Sequence, residues 1–519
     1  MKPRNIGTTI ALAAGLLLAG TGLAQGGEGT LKAALTTNPQ TMDTHLSTTT
    51  AVHQVAIYLH ESLVTFDENY EVIPQLADSW DISDDRLTYT FTLRPDLKFH
   101  NGKTLEAEDI KASTERYIEA SAGGTRLSDV SSIEVLDPLT VRFNLDTASP
   151  LLVNLAQPTP SLAIYPKELI DEHGNDPIPP EDVVGLGPYE LAEWRPDVHT
   201  KLVRFEDYTP DDRYDEATGF GGHRIAYFDE VQLIPVPEDA SRVAGLETGE
   251  FDFIEALPIT SVDQIESSDG LEVAVLKPKW AILAELNQGE APMDDVRFRQ
   301  ALVRALDMEQ IMRAASFAQE DFYRLQPSII FPEQTAWYTE AGSDWYNQPD
   351  LDEVSRLLEE VGYDNEPIIY LANRDFDWMY KAALAAASQW QQVGINVQLE
   401  FMDWPSQIER AESLEGWHVN QTGWSPRLDP TQVYQSLSCS SVASYNYCNE
   451  EMEALLDAVN QGLPQEERSE AWSDVQELVW EDVAIIRFGD FHEAEALKSE
   501  LDGYRPYHVT PRFWNVKRN

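Results

Sequence analysis

Two periodicities alternate along the chain, and this restricts the fold more than any other feature. Leu87, Tyr89, Phe91 and Leu93 fall on one side and Thr88, Thr90 and Thr92 on the other, the period-two pattern of a half-buried strand. Asn101-Gly102 marks a turn, and residues 106–120 then carry Ile110, Ser113, Tyr117 and Ile118 at helical spacing. Leu139, Val141, Phe143 and Leu145 predict a second strand before Ser149-Pro150. Beyond Asp294, a candidate N-cap with Asp295, the residues Phe298, Ala301, Leu302, Ala305, Leu306 and Ile311 recur at steps of three and four and predict one amphipathic helix. A helix from Trp378 to Gln392, stopped by Gly394, leads into the alternating strand Ile395, Val397, Leu399 and Phe401. Helix followed by strand is the grammar of an α/β protein. A length of 519 residues exceeds one hydrophobic unit. Nine of the thirteen tryptophans lie between Trp337 and Trp480, which gives the second half its own aromatic-rich core and places a boundary near residues 277–287. Residues 177–180 and 211–222 read as surface loops. Gly219-Phe220-Gly221-Gly222 lacks the Lys-Ser/Thr that a phosphate loop needs.

Residues 1–24 read as a signal peptide: Lys2 and Arg4, an apolar stretch from Ile10 to Ala19, then Gly22-Leu23-Ala24 ahead of a cut before Gln25. No later run approaches 18 apolar residues, so no permanent membrane anchor is expected. A lipoprotein needs a cysteine just after the cut, whereas the two cysteines are Cys439 and Cys448. A freely diffusing exported protein is therefore expected, in the periplasm or the medium. Two cysteines nine positions apart predict one disulfide and make a poor zinc site, with two of four ligands. The 89 acidic residues outnumber 37 basic ones, a formal charge of −52, which repels nucleic acid and anionic lipid. The acids are interspersed with Trp, Tyr, Leu and Val, so the chain is not read as disordered. Of the basic residues only 12 are lysines, and an acidic, lysine-poor surface resembles proteins from high-salt habitats.

Several segments together resemble the peptide and nickel type of periplasmic binding proteins of ABC importers, family 5 of the bacterial extracellular solute-binding proteins. They are Leu76-Ala-Asp-Ser-Trp80, Tyr89-Thr-Phe-Thr-Leu-Arg94, Leu97-Lys-Phe-His-Asn-Gly102 with Ala107-Glu-Asp109, Gly185-Leu-Gly-Pro-Tyr189, Asp294-Asp-Val-Arg-Phe-Arg-Gln-Ala-Leu302, Leu357-Leu-Glu-Glu-Val-Gly-Tyr363 and Trp390-Gln-Gln-Val-Gly-Ile395. The resemblance covers nearly all of the chain beyond residue 24. It implies a two-lobed type II periplasmic binding fold around a cleft. Residues 25–279 would form lobe I, with a subdomain inserted at about 60–190; residues 280–485 would form lobe II, and residues 486–519 would return to lobe I. It also implies a small-molecule or peptide ligand, an inner-membrane ABC permease as partner, a monomer, and neither catalysis nor a cofactor.

Site residues follow from the same resemblance. Trp424 and Arg427 lie in Gly423-Trp-Ser-Pro-Arg-Leu-Asp-Pro430, similar to the segment that reaches the ligand. Dipeptide binders carry there an Asp that pairs with the ligand ammonium. Arg427 in its place points to a carboxylate or phosphate, unless it pairs with Asp429. Asp429-Pro430 also reads as a helix cap. Arg374 corresponds to the Arg that binds a ligand carboxylate, or else pairs with adjacent acids, and Phe376 would pack on the ligand. His45, Thr48 and Thr49 precede the helix of residues 52–63 and face ligand or cap that helix. His418 near Trp424 is a structural residue or a metal contact. The expected ligand is a small, anionic peptide or peptide-like solute. Opine, glutathione-like and metal-chelate ligands are the alternatives within binding proteins. A secreted hydrolase is the alternative of another class, although neither GxSxG nor HExxH occurs.

Overall fold

A computed structural model describes residues 29–519, so the signal-peptide reading of residues 1–24 lies outside the described residues. The alternating segments form strands Thr88–Leu93 and Thr140–Leu145, whose apolar residues are buried. Helix Ala107–Ala120 between them opens with a reciprocal capping box of Glu106 and Asp109, satisfying backbone donors that the first turn leaves free. These strands join Ala77–Ile82 and Val130–Asp137 in a four-stranded antiparallel sheet. Its Tyr89, Phe91 and Phe143 share one hydrophobic core with Leu31, Ala33 and Leu233, so this part of the chain is built onto lobe I rather than folded around a core of its own.

An eleven-stranded sheet runs through both lobes. In lobe I, Thr30–Leu35 lies parallel to Glu230–Pro235 and Phe253–Leu257. In lobe II, Ile368–Asn373 lies parallel to Val397–Met402 and Val419–Trp424. Two long antiparallel strands, Leu271–Leu286 and Ile485–Lys498, connect these halves. The first half of Leu271–Leu286 packs Leu271, Val273 and Val275 with lobe I residues such as Ile254. Its second half sends Ile282 and Ala284 into one lobe II core and Ala281 and Leu283 into another. Their pairing slips between Leu276 and Trp280, where Pro278 has no amide hydrogen to give the ladder.

Asp295, rather than Asp294, caps helix Val296–Arg304, its side chain accepting the Arg297 amide. The single helix expected through Ile311 is two helices, because Asp307 accepts the Gln310 amide and starts Met308–Ala315 afresh. The loop of residues 211–222 is only partly a surface loop: Phe220 is buried against His53 and Tyr507.

Candidate functional site: the cleft between the lobes

A cavity of about 510 Å³ opens where the two crossing strands meet both lobes, a size that suits a small organic ligand. Thr36, Thr50, Gln54 and Glu255 form its lobe I wall. Glu255 is buried and accepts the Thr36 amide and hydroxyl at 3.0 and 3.1 Å and the Gln54 amide at 2.6 Å. Lys279 and Glu493 line the floor on the crossing strands, 2.7 Å apart.

The lobe II wall is aromatic. Trp378 stacks on Trp280 at 6.1 Å and 16° and on Phe491 at 5.7 Å and 23°, and Phe376 leans on its edge at 6.0 Å. The Asn373 side chain turns the chain into this wall by accepting the amides of Asp375 and Phe376 at 3.1 and 3.2 Å. Helix Asp377–Gln392 then carries Trp378 in its first turn. Gly423 lies beneath the ring, where a Cβ would stand 2.4 Å from Trp378, so close approach of strand and indole requires glycine.

A hydrogen-bond chain ties this wall to the segment holding Trp424. Asn373 donates to Gln407 at 2.8 Å, Gln407 to Asn420 at 2.7 Å, and Asn420 to the buried Glu285 carboxylate at 2.9 Å. The Trp424 indole donates to the other Glu285 oxygen at 3.0 Å. A buried polar network satisfied in this way fixes a unique arrangement.

Trp424 and Arg427 do not line the cavity themselves; Arg427 lies 4.9 Å from the Trp424 ring. It makes no ion pair among the described residues, and its Nε is buried without a hydrogen-bond partner. Burial lowers its pKa to about 10, opposed by the Glu285 charge. Asp429 is not its partner: that carboxylate accepts Arg468 at 3.1 Å and caps Pro430–Val433. The segment lies at the seam between lobes, because Leu428 packs in the lobe I core and Gln432 donates to Gln157.

The remaining candidates fall elsewhere. Arg374 is exposed, makes no ion pair among the described residues, and rests on Phe401 at 4.7 Å and Tyr380 at 5.5 Å, outside the cavity lining. Thr48 and Thr49 are exposed beside helix Thr50–Leu59, and Thr49 makes no side-chain cap; Thr50, the next residue, and Gln54, one turn beyond it, reach the cavity instead. His45 is fully buried, with Nε2 2.8 Å from the Ala163 carbonyl and Nδ1 accepting Arg116 at 3.1 Å. Burial and the Arg116 charge hold its pKa at about 4, so it is a neutral structural group with no nitrogen free for a ligand. His418 likewise uses both ring nitrogens, towards the Ile369 amide and the Ala291 carbonyl. Cys439 and Cys448 are joined in a disulfide with Cα atoms 4.4 Å apart. Trp280, Trp378, Glu255 and Lys279 were missed by the sequence reading. The visible signal was Trp378, two residues beyond Phe376 and at the start of the predicted helix.

Two α/β lobes, two crossing strands and a cleft between them define a type II solute-binding protein, the substrate-binding component of an ABC transporter. The family model for bacterial extracellular solute-binding proteins, family 5 (middle region), matches residues 71–446, and the chain belongs to that family. A curated relative from Sinorhizobium fredii, named Probable peptide ABC transporter periplasmic-binding protein y4tO, is 27% identical over 504 residues, covering 91% of each chain. The substrate-binding protein CtaP of Listeria monocytogenes shares the fold with a TM-score of 0.81 at 21% identity, over 92% of this chain and 95% of that one. DppA of Helicobacter pylori, solved with the peptide STSA, gives 0.75 at 24% identity, over 94% and 98%. No helix among the described residues is long and apolar enough to cross a membrane.

Proposed function

We propose that this protein captures a small peptide or peptide-like solute in the periplasm, encloses it between residues 25–279 with 486–519 on one side and 280–485 on the other, and delivers it unchanged to an inner-membrane ABC permease. The observation that carries the reading is Arg427, a half-buried cation at the lobe seam that lies 4.9 Å from the Trp424 ring, makes no ion pair among the described residues and keeps its Nε buried without a hydrogen-bond partner. A buried donor left unpaired is costly. A ligand carboxylate or phosphate would supply that partner. Phe376 therefore stays in the cavity site, and Trp424 with Arg427 forms a second proposed contact at the lobe seam beside it. Trp378, Trp280, Gln54 and Glu255 take the places first given to Arg374, Thr48, Thr49 and His45.

The relatives named for peptides support a peptide-like ligand. Thermal unfolding with a panel of di- to pentapeptides tests the reading, since a ligand that binds only the folded state raises the melting temperature by mass action. The expected result is stabilisation by particular peptides that chromatography then recovers intact. Fragments in the recovered pool would instead establish the hydrolase alternative.

A further inference from the structure

The lobes also meet outside the ligand cavity. Gly462, in the loop between helices Glu450–Asn460 and Gln465–Glu481 of lobe II, donates its amide to the Ala148 carbonyl of lobe I at 3.1 Å. A Cβ on Gly462 would stand 2.8 Å from the Ser149 nitrogen, 2.9 Å from the Ala148 carbonyl carbon and 3.0 Å from the Ala148 Cβ. Two of these three are backbone atoms, so a methyl group at this position has to push the two loops apart. Gly462 does not hold a left-handed φ, so it is the close approach of the lobes, and not the local conformation, that asks for glycine.

Ala148 and Ser149 lead into helix Leu151–Ala156, which buries Leu151 and Leu155 in the lobe I core. The far end of this helix meets lobe II again. Gln157, the residue that follows it, accepts the Gln432 amide at 2.5 Å. Between the two contacts lies a cavity of about 310 Å³, lined by Leu152 and Val153 from the helix and by Trp337, Leu463 and Arg468 from lobe II. None of its lining residues lines the ligand cavity. A hydrogen bond exchanged for one to water contributes little net, so surfaces joined at each end of a short helix and open between them part without tearing a packed core.

We propose that helix Leu151–Ala156 is the clasp of the closed cleft, gripped by Gly462 at one end and by Gln432 at the other, and that this contact sets how fast a captured solute leaves. The proposal rests on the reading of the cleft as the transport site. It places control of release in residues that line no part of the ligand cavity. A solute held between lobes departs when they part, so the strength of the clasp enters the dissociation rate, while contacts with the solute decide which solute is held.

Hydrogen exchange read by mass spectrometry on the full chain, with and without an equimolar mixture of tripeptides, tests the clasp alongside the timed release of captured peptide. In wild type, residues 461–463 should exchange more slowly with the tripeptides present. Gly462→Ala should return that exchange to its peptide-free rate and speed release about fivefold or more, with association changed less than about twofold. Gln157→Ala removes the other grip without adding bulk and should speed release about twofold or more. Far-ultraviolet circular dichroism checks that both variants keep the wild-type fold. Release and exchange unchanged in both variants, or loop exchange no slower with captured peptide than without, would overturn the proposal. If wild type captures no tripeptide, the peptide reading falls and the peptide-free exchange decides alone. Slower exchange of residues 461–463 in wild type than in Gln157→Ala would then keep the clasp as a contact between the lobes, and equal exchange would remove it.

Discussion

A half-buried guanidinium that lies against an indole and makes no ion pair among the described residues is unexpected in a chain with 89 acidic residues. Its nearest sequence candidate, Asp429, is held by Arg468. Arg427→Ala should leave the fold intact and weaken binding of an anionic peptide by roughly 2–5 kcal/mol, since the ligand's charge loses its partner. Arg427→Asp should abolish binding of that ligand. Calorimetry on the variants checks both, and unchanged affinity in Arg427→Ala would place this side chain outside the site. Glu495, buried on the second crossing strand, gives a second test. Burial pushes its pKa up to about 8, against the Tyr504 hydroxyl that donates to it at 2.7 Å. A carboxyl whose folded pKa lies above its unfolded value of 4.5 favours folding fully only at lower pH. That contribution is lost as pH rises towards 8. Glu495→Gln should therefore melt higher than wild type near pH 9 and show a smaller advantage near pH 5; the same difference at both would mean that Glu495 ionises normally.

Elements were legible where a single periodicity governed them. Thr88–Leu93, Ala107–Ala120, Thr140–Leu145 and Asp377–Gln392 follow the expected pattern because one face is buried and the other solvated; Val397–Met402 also forms, although Phe401 is exposed. The expected helix of residues 298–311 broke because apolar spacing continues across Asp307 while the backbone restarts at that cap. The site was less legible. Residues Asp375 to Trp378 all line the cavity whereas Arg374, one position earlier, does not, and where the lining begins depends on how one turn enters a helix. Thr48 and Thr49 likewise stop short of the cavity lining, which starts at the next residue, Thr50, and continues at Gln54 one turn on. Gly423 shows how closely strand and wall are fitted. Gly423→Ala would force the Trp378 ring off Trp280 and Phe491, an overpacking worth about 1–3 kcal/mol. Urea unfolding should show that loss together with weaker ligand binding, and wild-type values for both would mean that the ring yields freely.

At the scale of the whole molecule, charge and lobe geometry set different properties. With −52 formal charges, self-repulsion is screened over about 3 Å at 1 M salt and reaches about 30 Å at 0.01 M. The melting temperature should fall on dialysis from molar to low salt, and an unchanged value would remove the high-salt reading. Ligand capture depends instead on the two crossing strands, which carry the cleft floor and link the cores that close over it. Native mass spectrometry of the protein with a mixture of tripeptides, followed by unfolding and analysis of what is released, tests capture without conversion most directly. A one-to-one complex that releases the peptide with its original mass is the predicted result. Release of shorter fragments, or the absence of a complex with any peptide in the mixture, would contradict it.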